Sequence, residues 1–320
     1  MRRILFALAA ALTLGWASQA LAWGNPGHAT VCQIAYLRLT NTARQEVDRL
    51  VAAGPWGKSG NARRTAAYPT FGQACTFPDN PHERGDEHFV NYPRSLRAVT
   101  AQTQCTRGLL CIFSAIEGEL AILASQRTPQ AGRAAALFYL GHWIGDLHQP
   151  LHVSFGDDFG GGAVNTTGVC GTDGLHSVWD KCIVLRVFRG LHPATGDLPT
   201  TTTANQWSNA GAAATELQRT ITPAQAAAWL QSGAPWQWAA ESYAITLRPD
   251  VKYCIDHQGQ ECWYSATSRV LGTTSRTVNI DDAYVNGFTD EVTLRLQQAG
   301  VRLAHVLNRA LDPAYAAQHP

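Results

Sequence analysis

The sequence predicts a mainly α protein, a single helical domain whose long loops are stapled by disulfides. Three observations predict it. Apolar residues recur at helical spacing in several separate segments, clearest after Asn25 and after Thr128. Alternating strand patterns are scarce. All eight cysteines lie beyond residue 22, an even number that reads as disulfides in an exported chain. With 45% hydrophobic residues, a chain of 320 residues can fill one large core and fits one domain or two. No linker or internal repeat divides it, so residues 23–320 are taken as one domain.

Residues 1–22 have a basic start (Arg2, Arg3), an apolar run from Ile4 to Leu14 and the small-residue triplet Ala20-Leu21-Ala22, the pattern of a secretory leader and its cleavage site. Trp23 is then the expected mature N-terminus. The apolar run falls short of the ~20 residues of a membrane span, so no anchor is expected after processing. The destination is periplasmic or secreted.

Asn25-Pro26 starts a helix in which His28, Val31, Cys32, Ala35, Tyr36 and Leu39 share a face, pointing His28 inward. A helix is expected over 42–53, then an irregular stretch over 54–110, then a helix over 112–125. Thr128-Pro129 opens another, carrying Ala134, Leu137, Phe138, Leu140 and Trp143 towards Pro150, which stops it. A second irregular stretch covers 153–173. It contains Asp157-Asp158-Phe159-Gly160-Gly161-Gly162, which is no phosphate-binding P-loop because Gly-Lys-Ser/Thr does not follow, and which reads as a flexible connection. Asn165-Thr166-Thr167 fits a glycosylation sequon. Further helices are expected over 174–188, 222–246 and 282–311.

Eight cysteines allow 105 pairings, among which sequence cannot choose. The local pairs Cys105 with Cys111 and Cys254 with Cys262 are expected, with Cys32 to Cys75 and Cys170 to Cys182 taking the other four. The net charge of +1, and the absence of a basic stripe of the kind that tracks a long phosphate backbone, leave phosphate recognition to local groups or to metal.

The chemistry concentrates in Gly141-His142-Trp143-Ile144-Gly145-Asp146-Leu147-His148-Gln149-Pro150-Leu151-His152. His142 and Asp146, four apart on a helix, project from one face and can grip one metal, while His152 beyond the proline can fold back on a second. His176 and Asp180 repeat the spacing in Leu175-His176-Ser177-Val178-Trp179-Asp180. A lone His-x-x-x-Asp is more often a hydrogen-bonded pair than a metal site. Two of them beside His152, set among apolar residues where unpaired carboxylates are costly, favour metal. Nitrogen with carboxylate oxygen suits zinc. Asp79 and His88 add ligand types upstream. The amine and carbonyl of a mature Trp23 can chelate an ion in a five-membered ring, with His28 close by.

These motifs in this order resemble the S1/P1 nuclease family over nearly the whole chain after residue 22: Trp23 then His28, Pro78-Asp79, His88-Phe89-Val90, the long run from Gly141 to His152, then Leu175 to Asp180. The resemblance implies a helical phospholipase C/P1 nuclease-like fold and three Zn2+ per chain. It implies that Asp79, His88 and His142 hold one ion, that His152, His176 and Asp180 hold a second, that Trp23 and His28 hold a third, and that Asp146 bridges the first and third. His148 has no ligand role in this mapping and reads as core or supporting. His82, His192, His257, His305 and His319 read as surface or packing residues.

The implied activity is hydrolysis of single-stranded DNA and RNA to 5′-phosphate products, with removal of 3′-phosphates from nucleotides, by a monomer. Zinc lowers the pKa of bound water from ~15.7 to about 7, which makes a nucleophile available at neutral pH. The chain departs from the family at two places. Asn91 stands three after His88 where an Asp is common, and His82 stands three after Asp79 where an Arg is expected. Arg84 is the nearby substitute. Asp79, Asp146, Asn91 and Arg84 are therefore the candidate catalytic residues. Phe71, Tyr92, Phe155 and Phe159 lie in loops that can stack on exposed bases, although aromatics more often serve cores.

Two rival readings are weaker. A zinc-dependent phospholipase C typically carries Glu where this sequence has Asp180. A zinc-storage protein would show a repetitive His-rich tract, which is absent.

Overall fold

The computed structural model describes residues 23–54, 68–105, 110–191, 203–257, 260–263 and 277–319. Residues 1–22, read as a leader, and His192 fall outside the described residues. The chain forms α1 (Asn25–Leu37), α2 (Asn41–Ala53), α3 (Phe71–Ala74), β1 (Val90–Tyr92), α4 (Ile112–Ala124), α5 (Gln130–Leu147), β2 (Val153–Phe155) and β3 (Asn165–Gly168). There follow α6 (Leu175–Ser177), a π-helical turn Val178–Cys182, α7 (Ile183–Leu191), α8 (Thr203–Thr220), α9 (Pro223–Leu230) and α10 (Pro235–Thr246). The chain ends in β4 (Ile255–His257), β5 (Gln260–Trp263), β6 (Thr277–Ile280), α11 (Asp282–Gly287), α12 (Thr289–Leu311) and α13 (Pro313–Gln318).

α5 is the centre of the packing. Every residue from Ala136 to Leu147 is buried, so the helix has no solvent face beyond its first turns. α1, α2, α4 and α12 surround it, and α1 also packs against α8 and α12. Two glycines decide how close the neighbours come. A Cβ on Gly141 would lie 2.5 Å from Cys75 Sγ and 2.8 Å from Cys32 Sγ, so only glycine lets that disulfide rest on the helix. One turn on, a Cβ on Gly145 would lie 2.9 Å from the His28 ring, so the second glycine admits a side chain from α1. The spacing of the two follows from the helical repeat.

The strands are short and pair two by two. β1 and β2 run parallel with Val90 opposite Val153, Asn91 opposite Ser154 and Tyr92 opposite Phe155. β3 pairs β6 in parallel and β4 pairs β5 antiparallel. The β1–β2 pair brings the segment after His88 alongside the segment after His152. Four disulfides join Cys32 to Cys75, Cys105 to Cys111, Cys170 to Cys182 and Cys254 to Cys262.

Several expected elements are divided or extended. The helix expected over 222–246 is two helices, separated at Gly233 and restarted at Pro235, with Thr222 and Gln225 forming a capping box at the first. The one expected over 282–311 divides at Phe288, and the one over 174–188 contains the π turn. α8 was not anticipated, because its Thr-, Asn- and Gly-containing sequence has little apolar contrast. The stretches read as irregular contain α3, β1, β2 and β3.

Candidate metal centre

The C-terminal half of α5, the N-terminal turns of α1, the loop around Asp79, the segment before β1, the turn at His152 and the α6 to π-helical segment all converge on one buried cluster. It gathers Trp23, His28, Asp79, His88, His142, Asp146, His152, His176 and Asp180, each under a tenth exposed.

Four of its imidazoles share one arrangement. His142 Nδ1 lies 2.7 Å from the Cys75 carbonyl, His152 Nδ1 2.7 Å from the His88 carbonyl, His176 Nδ1 2.8 Å from the Gly160 carbonyl and His88 Nε2 2.9 Å from the Glu83 carbonyl. A carbonyl only accepts, so each of these nitrogens is the N–H donor and the other ring nitrogen keeps a bare lone pair. Those lone pairs face each other: His88 Nδ1 is 3.1 Å from His142 Nε2, and His152 Nε2 is 3.0 Å from His176 Nε2. Two acceptors at hydrogen-bond distance repel unless a proton or a cation lies between them. Burial pushes all four imidazoles below their ordinary range, His152 well below and His176 down to about 4, so a proton is disfavoured.

The carboxylates complete the picture. Asp146 Oδ2 is 3.1 Å from His88 Nδ1 and 3.3 Å from His142 Nε2, and Asp79 Oδ1 is 3.8 and 3.7 Å from the same two nitrogens. A tetrahedral ion with bonds of about 2.0–2.1 Å spaces its ligand atoms by about 3.3 Å, which these separations bracket. At the second group, His176 Nε2 is 3.3 Å from Asp180 Oδ2 and His152 Nε2 is 3.8 Å from Asp180 Oδ1.

At the third, His28 Nε2 is 3.2 Å from Asp146 Oδ1, yet neither atom has a hydrogen-bond partner. Asp79 Oδ2 and Asp180 Oδ2 are likewise buried without a partner. Burial raises Asp146 to about 8 and Asp180 well above the carboxylate range, while His142, His82 and His88 outweigh burial at Asp79 and hold it low. Orphaned acceptors of this number in one cluster fit divalent cations, and these residues can hold several. Neutral imidazole with carboxylate is the donor set of zinc.

Trp23 is fixed beside this cluster. Its indole is fully buried and Nε1 donates to the Gly145 carbonyl at 2.8 Å, while the Gly24 amide donates to the Asp180 carbonyl at 2.9 Å. Gln149, which sequence reasoning passed over inside the long motif, donates to Asp180 Oδ1 at 2.5 Å and so aims that carboxylate. The backbone carbonyls of Cys75, Glu83 and Gly160 were equally invisible in the sequence, since any residue supplies one. His148 Nδ1 donates to the Ile144 carbonyl at 2.8 Å, and its Nε2 accepts from Arg302 at 2.9 Å, facing away from the cluster.

Other expected site residues are placed differently. Phe71 opens α3 at 3% exposure, and Tyr92 and Phe155 face each other across the β1–β2 pair at 3% and 0%, so all three belong to the core and offer no face to a base. Phe159 is 59% exposed, with a positive φ of 56°. It immediately precedes the glycine whose carbonyl orients His176. Arg84, expected as the substitute arginine, is engaged by two acids. Its guanidinium is held by Glu87 and Glu119 and lies over the Tyr139 ring. Asn91 sits half-buried in β1 beside Gly156.

Comparison with known proteins gives the same direction. The S1/P1 nuclease family profile matches residues 23–312. Endonuclease 2 of Arabidopsis thaliana is 26% identical over 293 residues, covering 90% of each chain. Nuclease P1 of Penicillium citrinum is 22% identical over 292 residues, 89% of this chain and 97% of its own. Nuclease S1 of Aspergillus oryzae is 29% identical over 175 residues, 53% of this chain and 57% of its own.

Proposed function

Because the chain belongs to the S1/P1 nuclease family and is a hydrolase of phosphodiester bonds in nucleic acid, we propose that it cuts single-stranded DNA and RNA to 5′-phosphate products with three zinc ions, and that it also removes 3′-phosphates from nucleotides. The observation that carries the metal reading is the facing of acceptor nitrogens, at 3.1 Å between His88 and His142 and at 3.0 Å between His152 and His176.

In this reading Asp79, His88 and His142 hold the first ion, His152, His176 and Asp180 the second, and His28 with the amine and carbonyl of Trp23 the third. Asp146 would serve both the first and the third, since its two oxygens contact His88 and His28 separately. When bound, the ions supply Lewis acidity at the phosphate and activate water for in-line displacement. The chain's own residues hold that machinery rigid: backbone carbonyls fix four imidazole tautomers, Gln149 aims Asp180, and buried Trp23 and Trp143 wall the centre against bulk water. Asn91 is the remaining polar candidate near the reacting group. Phe159, exposed next to the glycine that orients His176, is the surface on which an unpaired base stacks, which favours single strands over duplex.

The Trp23 amine is free only after a leader over residues 1–22 is removed, so the active form is an exported, processed monomer. The test is the product chemistry. Processed protein should convert single-stranded oligonucleotides to 5′-phosphate ends, spare a matched duplex, and stop on chelation. Products ending in 3′-phosphate, or equal cleavage of duplex, would overturn the proposal.

A further inference from the structure

Three carboxylates serve the candidate centre, and two stand on helical turns. Asp146 projects from α5, and Asp180 from the π turn with Gln149 holding its Oδ1. Asp79 stands on a loop, joined across a single backbone bridge to His82. A loop carboxylate with no helix to set its rotamer must be held by something else if Oδ1 is to stay facing His88 and His142.

His82 is placed to hold it. Its Nδ1 lies 3.2 Å from Asp79 Oδ1 in hydrogen-bonding geometry, and its ring stacks on His88 with centroids 4.3 Å apart and planes 30° apart. A carboxylate oxygen accepts, so Nδ1 carries the proton, and while that bond holds this nitrogen offers no lone pair to an ion. The arrangement differs from His88, His142, His152 and His176, whose N–H groups point at backbone carbonyls. His82 plays towards Asp79 the part that Gln149 plays towards Asp180.

We infer that His82 is a positioning residue of the first metal site: its Nδ1–H fixes Asp79 Oδ1 towards the space shared with His88 and His142. The inference rests on the reading of this centre as a zinc site. It assigns a role to a residue that the sequence marks as a departure from the family and that reads as a surface or packing histidine.

The test reads metal, not turnover. Zinc is withdrawn stepwise from processed wild-type protein and from His82→Ala, His82→Gln and His82→Asn by a chromophoric chelator. Asparagine sets an amide N–H near the place of Nδ1–H, whereas glutamine sets it near Nε2. His82→Ala and His82→Gln should weaken one zinc by about 10–100-fold, the cost of losing a partner behind a ligand, and His82→Asn should stay within about threefold of wild type. The two unaffected ions report that the variants are folded.

Alanine binding all three ions as tightly as wild type would overturn the inference. So would asparagine failing as badly as alanine, which would make the imidazole itself a ligand, or glutamine rescuing where asparagine does not. A wild-type protein that binds no zinc overturns the metal reading first, and this inference with it.

Discussion

The C-terminal end of α5 feeds two buried polar clusters that differ in how their groups are matched. Around His148, every ring nitrogen and guanidinium finds an opposite partner. Arg302 reaches His148 Nε2, the Trp229 carbonyl and both oxygens of Glu241, at 2.6 to 3.2 Å. Arg295 reaches the His148 and Trp238 carbonyls, Ser242, Gln298 and Glu241. Around His142, four residues from Asp146 and six from His148, acceptors face acceptors, and five atoms of His28, Asp79, Asp146 and Asp180 have no partner. His148, Arg295 and Arg302 are as buried as His142 and Asp146, although Glu241 is 32% exposed, so burial of the central groups does not distinguish the clusters. Completeness does: a satisfied network stiffens a core, while a network of unmatched acceptors asks for cations.

The comparison breaks if the two clusters respond alike. The largest effect is expected at the centre, where Asp146→Ala removes the carboxylate proposed to serve two ions. Activity should fall by at least about 10³-fold, the several kcal/mol that Lewis acids supply, and elemental analysis should find fewer than three zinc ions. Retention of all three would remove the ligand map.

Next is Arg302→Ala, which removes the partner of His148 Nε2 and leaves Glu241 with Arg295 alone. Denaturant unfolding should show a loss of about 1–3 kcal/mol, with the zinc content of the folded fraction unchanged. Loss of zinc from the folded protein would mean that the two clusters are one functional unit. An intermediate effect is expected from a single residue left in front of Trp23, which displaces the chelating amine. One zinc should be lost and the rate should drop by about 10²-fold, and full activity in an uncleaved protein would contradict the third site. The smallest is Phe159→Ala, expected to weaken binding of single-stranded oligonucleotide by about 1 kcal/mol with no change in zinc; unchanged binding would leave the single-strand preference without its aromatic platform.

The residues legible in the sequence were those with local spacing. His142 with Asp146 and His176 with Asp180 are one helical turn apart, so their common face follows from helix geometry alone. Gly141 and Gly145 belong to the same legible pattern, although what they admit, a disulfide and the His28 ring, required the packing of α1 and α5. What stayed hidden depends on contacts between distant segments. Gln149 meets Asp180 across 31 residues, and Arg302 meets His148 across 154.

Aromatic residues misled for a related reason. Tyr92 and Phe155 read as loop residues because a three-residue strand is too short to show alternation, and the rings that bury them, Tyr243 against both and Tyr253 against Phe155, come from distant segments. Arg84 was placed near Asp79 by sequence distance, but Glu119 on α4 turns its charge elsewhere.

Whether cations occupy the spaces between the facing imidazoles decides the nature of this centre. Elemental analysis of the processed protein, joined to anomalous diffraction at the zinc edge, tests that directly. Three zinc ions are expected: one between His88 and His142, one between His152 and His176, and one beside His28 at the amine of Trp23. Imidazoles that keep their separations with no anomalous peak between them, in protein that still cleaves nucleic acid, would contradict the zinc reading.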